Sequence, residues 1–137
     1  MINEFRGKYY FLSNFYSAPV MYEGLLYENN EAAFQSAKLK DRAKRECFCN
    51  IDSSTAKRKG RQVALRQDWE DIKDEVMYQV VKDKFSRNVI LKNRLLDTKN
   101  EELVEGNTWN DTYWGVCRGR GKNMLGKILM RVREELR

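Results

Sequence analysis

The sequence from position 68 to position 85 reads DWEDIKDEVMYQVVKDKF. Its apolar residues recur every three or four positions, which is the period of an amphipathic helix that packs one face on a core. These residues are Trp69, Ile72, Val76, Met77, Val80, Val81 and Phe85. We therefore predict a long core helix here, with Trp69 at its start.

The segment before this helix predicts a hairpin and a shorter helix. Two apolar stretches, 18–22 and 25–27, flank Glu23-Gly24, which is typical of a tight turn between antiparallel strands. Asn29 or Asn30 then caps a helix from Glu31 onward, where a carboxylate in the first turn complements the helix dipole. The chain thus begins with a small β-hairpin that leads into a helix.

Three more helices are predicted further along. One starts at Ser53 or Ser54 and runs to Arg66, and a shorter one near Val89 to Leu96 is capped by Asn88. The last starts after Asn123, a good N-cap residue, and buries a stripe formed by Leu125, Ile128, Leu129, Val132 and Leu136. Residues 102–105 are typical of a short strand, and the stretch that follows them indicates a loop with functional residues.

Composition limits the classes of protein that fit. At 137 residues the chain is expected to form a single domain, 1–137. It has no histidine, which excludes Ser-His-Asp and Cys-His nucleophiles and histidine-ligated metals, and its three cysteines form no zinc pattern. No signal sequence and no membrane-spanning run is recognisable. We expect a cytoplasmic protein without a metal or other cofactor, taken as a monomer.

The charge favours anionic partners. Lys and Arg number 26 against 20 Asp and Glu, a net charge of +6. Nucleic acid, nucleotides and other phosphates all fit this excess, although an excess of this size is more often just a solvated surface. The run KRKGR at 57–61 has the same two interpretations, with the solvated face as the first of them.

Two stretches near the carboxyl end carry chemistry-bearing residues. The loop NTWNDTYWG at 107–115 combines Asp111 with Trp114 and two further rings, so it suits stacking on a base, but buried aromatics around a turn also fit. The following RGRGKN, from Arg118 through Lys122 to Asn123, leads into a helix N-terminus and is either an anion site or a plain turn. It lacks the spacing of a nucleoside-triphosphate-binding loop.

Glu31 is a candidate because of its neighbours on the predicted helix. Residues three, four and seven positions apart share a helix face, so Glu31, Phe34, Gln35 and Lys38 are expected on one pocket wall. A carboxylate in a first turn is by itself most often only a partner of the helix dipole.

Five blocks in this order resemble the NADAR (YbiA-like) family: FLSNF at 11–15, Tyr27 with Glu31 and Phe34-Gln35, RQDW at 66–69, DTYWG at 111–115 and GKNMLG at 121–126. The resemblance covers nearly the whole chain, from about Phe5 onward. The sequence departs from the family pattern at Ala32, where many relatives carry histidine, and at Cys117, where relatives often have a small residue.

This resemblance implies a compact, predominantly helical α+β domain that hydrolyses the N-glycosidic bond between a ribose and a base. The family's activities include removal of ADP-ribose from guanine in nucleic acid and cleavage of a ribosylamino-pyrimidine phosphate of riboflavin synthesis. It further implies Glu31 as the leading catalytic carboxylate and a pocket completed by Trp69, Asp111 and Trp114, with Asn14 and Phe15 on its wall.

The chemistry of the residues agrees with that function. Cleavage passes through an oxocarbenium-like state, which one carboxylate can stabilise while the same or a second one activates water. Glu31 and Asp111 are the two candidates, and either can take either role. The other ligand contacts expected are Gln35, Lys38, Arg118, Lys122 and Asn123.

Two rival classes stay open at this point. A non-catalytic module that binds ADP-ribose or single-stranded nucleic acid needs the same aromatic and basic residues. A structural or interaction domain would instead place all of them in its core. The expected partner is ADP-ribosylated nucleic acid or a phosphorylated ribosyl-base compound.

Overall fold

A computed structural model describes all residues, 1–137. The chain divides into two compact units. The hairpin unit is Asn14–Asn88, and the terminal unit joins Met1–Ser13 to Val89–Arg137. Six α-helices and four short strands make the fold α+β and predominantly helical, as expected. That the chain is one domain stays a prediction.

The hairpin unit begins with two antiparallel strands, β1 (Ser17–Tyr22) and β2 (Leu25–Asn29). Their connection is Glu23-Gly24, with φ of 47° and 83°. Two successive positive φ angles match the right-handed twist of the flanking strands, which is why Gly is favoured in such two-residue turns. The predicted hairpin is confirmed.

Four helices complete the hairpin unit: α1 (Asn30–Ser36), α2 (Arg42–Glu46), α3 (Ser53–Gly60) and α4 (Trp69–Arg87). The predicted core helix is α4, and it starts at Trp69. Six of its seven apolar positions are buried, and only Ile72 is half-exposed. Helix α2 was not predicted, because its five residues carry no apolar period.

The prediction that α3 continues to Arg66 is wrong, since the helix ends at Gly60. The backbone N–H of Arg66 instead donates to the Lys38 carbonyl at 3.0 Å, and its guanidinium donates to Asp68 at 2.7 Å. These contacts with α1 and with the start of α4 require the chain to leave the helical path. Tertiary hydrogen bonds thus override the local helical preference of residues 61–66.

The terminal unit contains a short 3-10 helix (Gly7–Leu12), α5 (Val89–Leu96), α6 (Met124–Glu135) and two two-residue parallel strands, β3 (Gly106–Asn107) and β4 (Val116–Cys117). The strand predicted at 102–105 is reduced to a single parallel bridge between Leu103 and Ile2. Its partner comes from the far end of the chain, where no local pattern points to it. None of the helices in the chain combines the length and apolar composition that a membrane crossing requires.

Helix α6 starts after Asn123 as predicted, but the Asn123 side chain does not cap it. Asn123 has a left-handed backbone, with φ of 54°. Its amide donates to the Leu103 carbonyl at 2.9 Å and accepts from the Glu105 N–H at 3.0 Å. The apolar stripe of α6 is buried except for Leu136, which follows the helix and is half-exposed.

Candidate active site

The start of α1 is fixed by two asparagines. Asn29 Oδ1 accepts the Ala32 N–H at 2.7 Å, the N-cap bond that the sequence predicts. The Asn14 carbonyl accepts the Glu31 N–H at 3.1 Å, and the Asn14 side-chain oxygen accepts from Asn30 Nδ2 at 3.1 Å. Because hydrogen bonds from Asn29 and Asn14 hold the first turn of α1, the backbone position from which the Glu31 side chain starts is fixed. Glu31 is 9% exposed.

An aromatic pair lies next to this helix. Phe34 of α1 and Trp69 of α4 have ring centroids 5.1 Å apart with a 58° angle between their planes. Both residues are buried. A tilted pair at this distance is a favourable packing geometry, so Trp69 is held by the core and is not a mobile lid.

Lys38 lies beside Glu31. Burial lowers the pKa of Lys38, and the Glu31 carboxylate opposes that shift, while Arg61 adds to it. The Lys38 ammonium also donates to the Gly60 carbonyl at 3.2 Å. A carboxylate and a partly buried amine that influence each other in this way are typical of sites that bind ligands or move protons.

Gln35 lies between α1 and α3. Its Oε1 atom is buried and accepts no hydrogen bond. A Cβ atom added at Gly60 would stand 2.0 Å from that oxygen. The two helices approach this closely only because residue 60 has no side chain, and the amide of Gln35 is left with an unused acceptor.

Asn14 and Phe15 support the site more than they line it. Asn14 Nδ2 lies 3.4 Å from the Met77 sulfur, so both ends of its amide are in contact with the scaffold. The Phe15 carbonyl accepts from Ser53 Oγ at 2.8 Å, and its ring lies 5.7 Å from Lys57 Nζ. Their expected contact with substrate stays a prediction.

In the terminal unit, Asp111 shapes its own loop. Asp111 Oδ1 accepts the N–H groups of Tyr113 and Trp114 at 3.2 and 2.9 Å. These bonds close an Asx-type turn. The second oxygen, Oδ2, makes no hydrogen bond within the chain and is the atom able to take a ligand donor.

Asn107 organises the same loop, and sequence reasoning missed it. Its Oδ1 accepts the N–H groups of Trp109 and Asp111 at 3.3 and 3.1 Å. Its Nδ2 donates to the Asp111 carbonyl at 2.9 Å and to Glu105 Oε2 at 3.1 Å. Asn107 is buried. The only available signal was an asparagine at the start of the loop, and asparagine is common in turns.

Asn107→Ala is expected to disorder this loop. The change removes the partners of several buried polar groups, which costs about 2 kcal/mol in the free energy of unfolding. Urea denaturation should show that loss, and proteolysis should cut within 107–115 in the variant first. Thr108→Ala is the matched control, because Thr108 is exposed and should change stability little. Equal stability of Asn107→Ala and wild type would contradict the role given to Asn107.

The aromatic residues of the loop differ in exposure. Trp109 is 50% exposed, whereas Tyr113 and Trp114 are half-buried and meet edge to face at 4.9 Å between centroids. Lys122 Nζ lies 5.3 Å from the centroid of the Tyr113 ring. The interpretation as ordinary core aromatics therefore fails for Trp109.

The segment that follows this loop contains two of the predicted anion contacts, Arg118 and Lys122. Arg118 has a φ of 54° and with Gly119 forms a two-residue turn closed by reciprocal backbone bonds between Cys117 and Arg120. Arg118 and Lys122 are exposed. Asn123 is not available in the same way, because its buried amide is engaged by Leu103 and Glu105; we assign it a structural role in place of the ligand contact expected from the sequence.

The structure thus brings together one group of predicted residues in the hairpin unit: Glu31, Gln35, Lys38 and Trp69, supported by Asn14 and Phe15. The other five lie in the terminal unit: Asp111, Trp114, Arg118, Lys122 and Asn123. The hairpin unit therefore contains a carboxylate, an amine, an amide and an aromatic pair close to one helix.

A second residue that sequence reasoning missed is Lys84, which is completely buried on α4. Its ammonium nitrogen lies 5.4 Å from the Tyr16 ring centroid and 5.0 Å from that of Phe85. Burial lowers the pKa of Lys84 to about 7. The helical period had marked neighbouring positions as core, but a lysine in that stripe is assigned to the surface by default.

These features define a small α+β domain with a buried carboxylate on its first helix and a partly buried amine just after that helix. Comparison with known proteins gives the family. The model of the NADAR domain matches residues 3–137. N-glycosidase YbiA of Escherichia coli is 39% identical over 128 residues, which cover 90% of this chain and 79% of that protein. The chain belongs to the NADAR domain family.

Other relatives support this assignment. A riboflavin biosynthesis protein of Vibrio vulnificus is 38% identical over 92% of this chain, which spans only 35% of that longer protein. The NMR structure of Escherichia coli YbiA superposes with a TM-score of 0.85 at 34% identity, covering 99% of this chain and 86% of that one. The expected family and fold class are both confirmed.

Proposed function

We propose that this protein is an N-glycosidase that hydrolyses the bond between a ribose and a base. The observation that carries the proposal is the buried Glu31 carboxylate, fixed by the first turn of α1 and next to Lys38. The name N-glycosidase of the YbiA relatives supports the same reaction class.

The reaction needs negative charge near the anomeric carbon. As the base departs, positive charge develops on the ribose, and a fixed carboxylate stabilises it more than water does, since the protein dipoles are already oriented. We assign that role, or the activation of water, to Glu31. Lys38 is assigned to hold the neighbouring substrate oxygens, and Trp69 to form the apolar wall of the pocket together with Phe34.

The terminal unit carries predicted ligand contacts of its own. Within that unit, Asp111 is assigned to a polar group of a ligand, Trp114 to stacking, and the exposed Arg118 and Lys122 to phosphate.

Our preferred substrate is ADP-ribose attached to guanine in nucleic acid. The net charge of +6 suits a polyanion, and the exposed Trp109 ring suits stacking on an unpaired base. The second candidate is a ribosylamino-pyrimidine phosphate of riboflavin synthesis. The relatives from Vibrio vulnificus and Arabidopsis thaliana that are named riboflavin biosynthesis proteins favour it.

The test is to incubate the purified protein with a single-stranded oligonucleotide that carries ADP-ribose on guanine, and to follow the oligonucleotide mass. Loss of the ADP-ribose mass is the expected result. A parallel reaction contains the ribosylamino-pyrimidine phosphate. Turnover of that compound alone would replace the preferred substrate by the second candidate, and turnover of neither would leave a binding module as the better description.

A further inference from the structure

The positive charge of the protein is concentrated in one segment of the hairpin unit. Residues 38–66 hold 10 Lys and Arg against 3 Asp and Glu, a net charge of +7. Because the whole chain carries +6, the remaining residues are nearly neutral at −1. We call residues 38–66 the basic segment. An ordinary solvated surface with mixed charge does not require the positive residues to be concentrated in one segment of the chain.

Helix α3 buries its small residues and exposes the basic side chain of Arg58. The buried positions of α3 are Ser53, Ala56 and Gly60, which are all small. Arg58 lies on the exposed side of the helix, and Arg61 is exposed directly after its end. Among the basic residues of α3 only Arg58 is exposed, since Lys57 and Lys59 are half-buried with their ammonium groups near the rings of Phe15 and Phe48. The exposed positive charge at this end of the helix thus comes from Arg58 and Arg61.

Several of these cations form no ion pair, although Arg58 and Lys40 contribute to lowering the pKa of the Asp52 and Asp68 carboxyls. Within the basic segment, Arg42 pairs with Glu46, Arg45 with Glu23, and Arg66 with Asp68. A further set is exposed and has no carboxylate oxygen within 4.0 Å: Lys40, Lys44, Arg58 and Arg61. Positive side chains left unpaired on one segment are the electrostatic footprint of a phosphate-binding surface.

The basic segment adjoins the residues around Glu31. Lys38 Nζ donates to the Gly60 carbonyl at the end of α3, and Gly60 lies against Gln35. The backbone N–H of Arg66 donates to the Lys38 carbonyl. The end of α3 and the chain that follows it therefore contact Gln35 of α1 and Lys38, which lies just after that helix.

We propose that the exposed side of α3, with Arg58 and Arg61 at its centre, binds the phosphate backbone of a single-stranded nucleic acid whose modified base enters the site at Glu31. The proposal rests on the proposed function and narrows its substrate to a base within a strand, as opposed to a free nucleotide. A single strand fits because chemistry on a base requires the base to leave the stack. A membrane surface fits less well, since interfacial helices present an apolar face to the lipid and α3 has none.

The test compares wild type with Arg58→Gln/Arg61→Gln in binding to unmodified, fluorescein-labelled single-stranded DNA, followed by anisotropy over a range of salt. Each lost phosphate contact lowers the slope of log affinity against log salt by about 0.7. The double variant is expected to lose about 1.4 from the slope and to bind roughly tenfold more weakly at low salt. The matched control is Lys127→Gln/Arg131→Gln, which removes two charges from α6 and should bind as wild type does.

A second measurement separates this inference from the proposed function. The Michaelis constant for the ADP-ribosylated oligonucleotide should rise in the double variant. For the ADP-ribosylated guanine mononucleotide it should stay unchanged in Arg58→Gln, the single variant that keeps the effect of the Arg61 charge on Lys38. If the double variant binds DNA as wild type does and cleaves both substrates, the proposed α3 surface is wrong and the proposed glycosidase activity is retained. Charge-dependent DNA binding without any cleavage would overturn the glycosidase and leave the surface standing.

Two controls complete the design. Circular dichroism and thermal unfolding must show that the double variant folds as wild type does. Vesicles with anionic lipid are tested in parallel, and a loss of binding seen with vesicles but not with DNA would assign the surface to membranes and overturn the nucleic-acid proposal.

Discussion

Glu31→Gln is expected to lower the rate of glycosidic cleavage by roughly 10²- to 10⁴-fold, the contribution typical of a positioned acid or base. The amide keeps the shape of the side chain and removes its negative charge. The oxocarbenium-like state loses its counter-charge, while contacts made equally with the bound substrate persist. The expected signature is therefore a loss in kcat with little change in substrate affinity.

The measurement is single-turnover cleavage of the ADP-ribosylated oligonucleotide, together with its binding to the inactive variant. Glu28→Gln is the matched control, because Glu28 lies on the same stretch of chain at the end of β2 but is exposed. It should retain wild-type kcat. A folded Glu31→Gln protein with wild-type turnover would remove Glu31 from the mechanism, and weaker binding with unchanged kcat would make Glu31 a binding residue only.

Lys84 is expected to make stability rise with pH above neutrality. Burial lowers its pKa in the folded chain to about 7, while in the unfolded chain it returns to about 10.4. Between these values the unfolded chain binds more protons, so the free energy of unfolding increases with pH. Below about pH 7 lysine is protonated in both states, and the full cost of burying its charge is present.

The expected gain between pH 7 and pH 9 is about 2 kcal/mol, since a unit of pH contributes about 1.4 kcal/mol once Lys84 is neutral in the folded state and less near pH 7, where it is half protonated. The rings of Tyr16 and Phe85 make this gain in the free energy of unfolding smaller, because they favour the ammonium form of Lys84. Lys84→Met keeps the length of the side chain and should remove this part of the pH dependence.

Urea denaturation of both proteins at the two pH values gives the difference directly, and other titrating groups cancel in the comparison. Lys82→Met is the control for loss of a lysine on α4, because Lys82 is half-buried. Parallel stability curves for wild type and Lys84→Met would show that Lys84 has an ordinary pKa in the folded chain.

The helices and the hairpin were readable because their signals are local. The apolar period of 68–85 identified α4, Asn29 identified the start of α1, and Glu23-Gly24 identified the turn between β1 and β2. In each case the residues that decide the conformation lie within a few positions of one another. The helical spacing predicted Glu31 and Lys38 on one helix face, but α1 ends at Ser36 and Lys38 lies in the turn that follows, where the Glu31 carboxylate still raises the pKa of Lys38.

What the sequence did not reveal depends on partners that are distant along the chain. Helix α3 ends at Gly60 because Arg66 bonds to Lys38, and Asn123 leaves its capping role because Leu103 and Glu105 take its amide. A local propensity of a few tenths of a kcal/mol is smaller than one such buried hydrogen bond.

The same reasoning applies to the candidate site. Sequence patterns by themselves determined the family and the helix that carries Glu31. Only the tertiary structure decided that Asn107 holds the Asp111 loop, that Lys84 is buried and that the end of α3 contacts the Lys38 side chain. Each of these features depends on contacts between segments that are separated in the sequence. Those contacts, and the burial that they cause, form only when the chain folds.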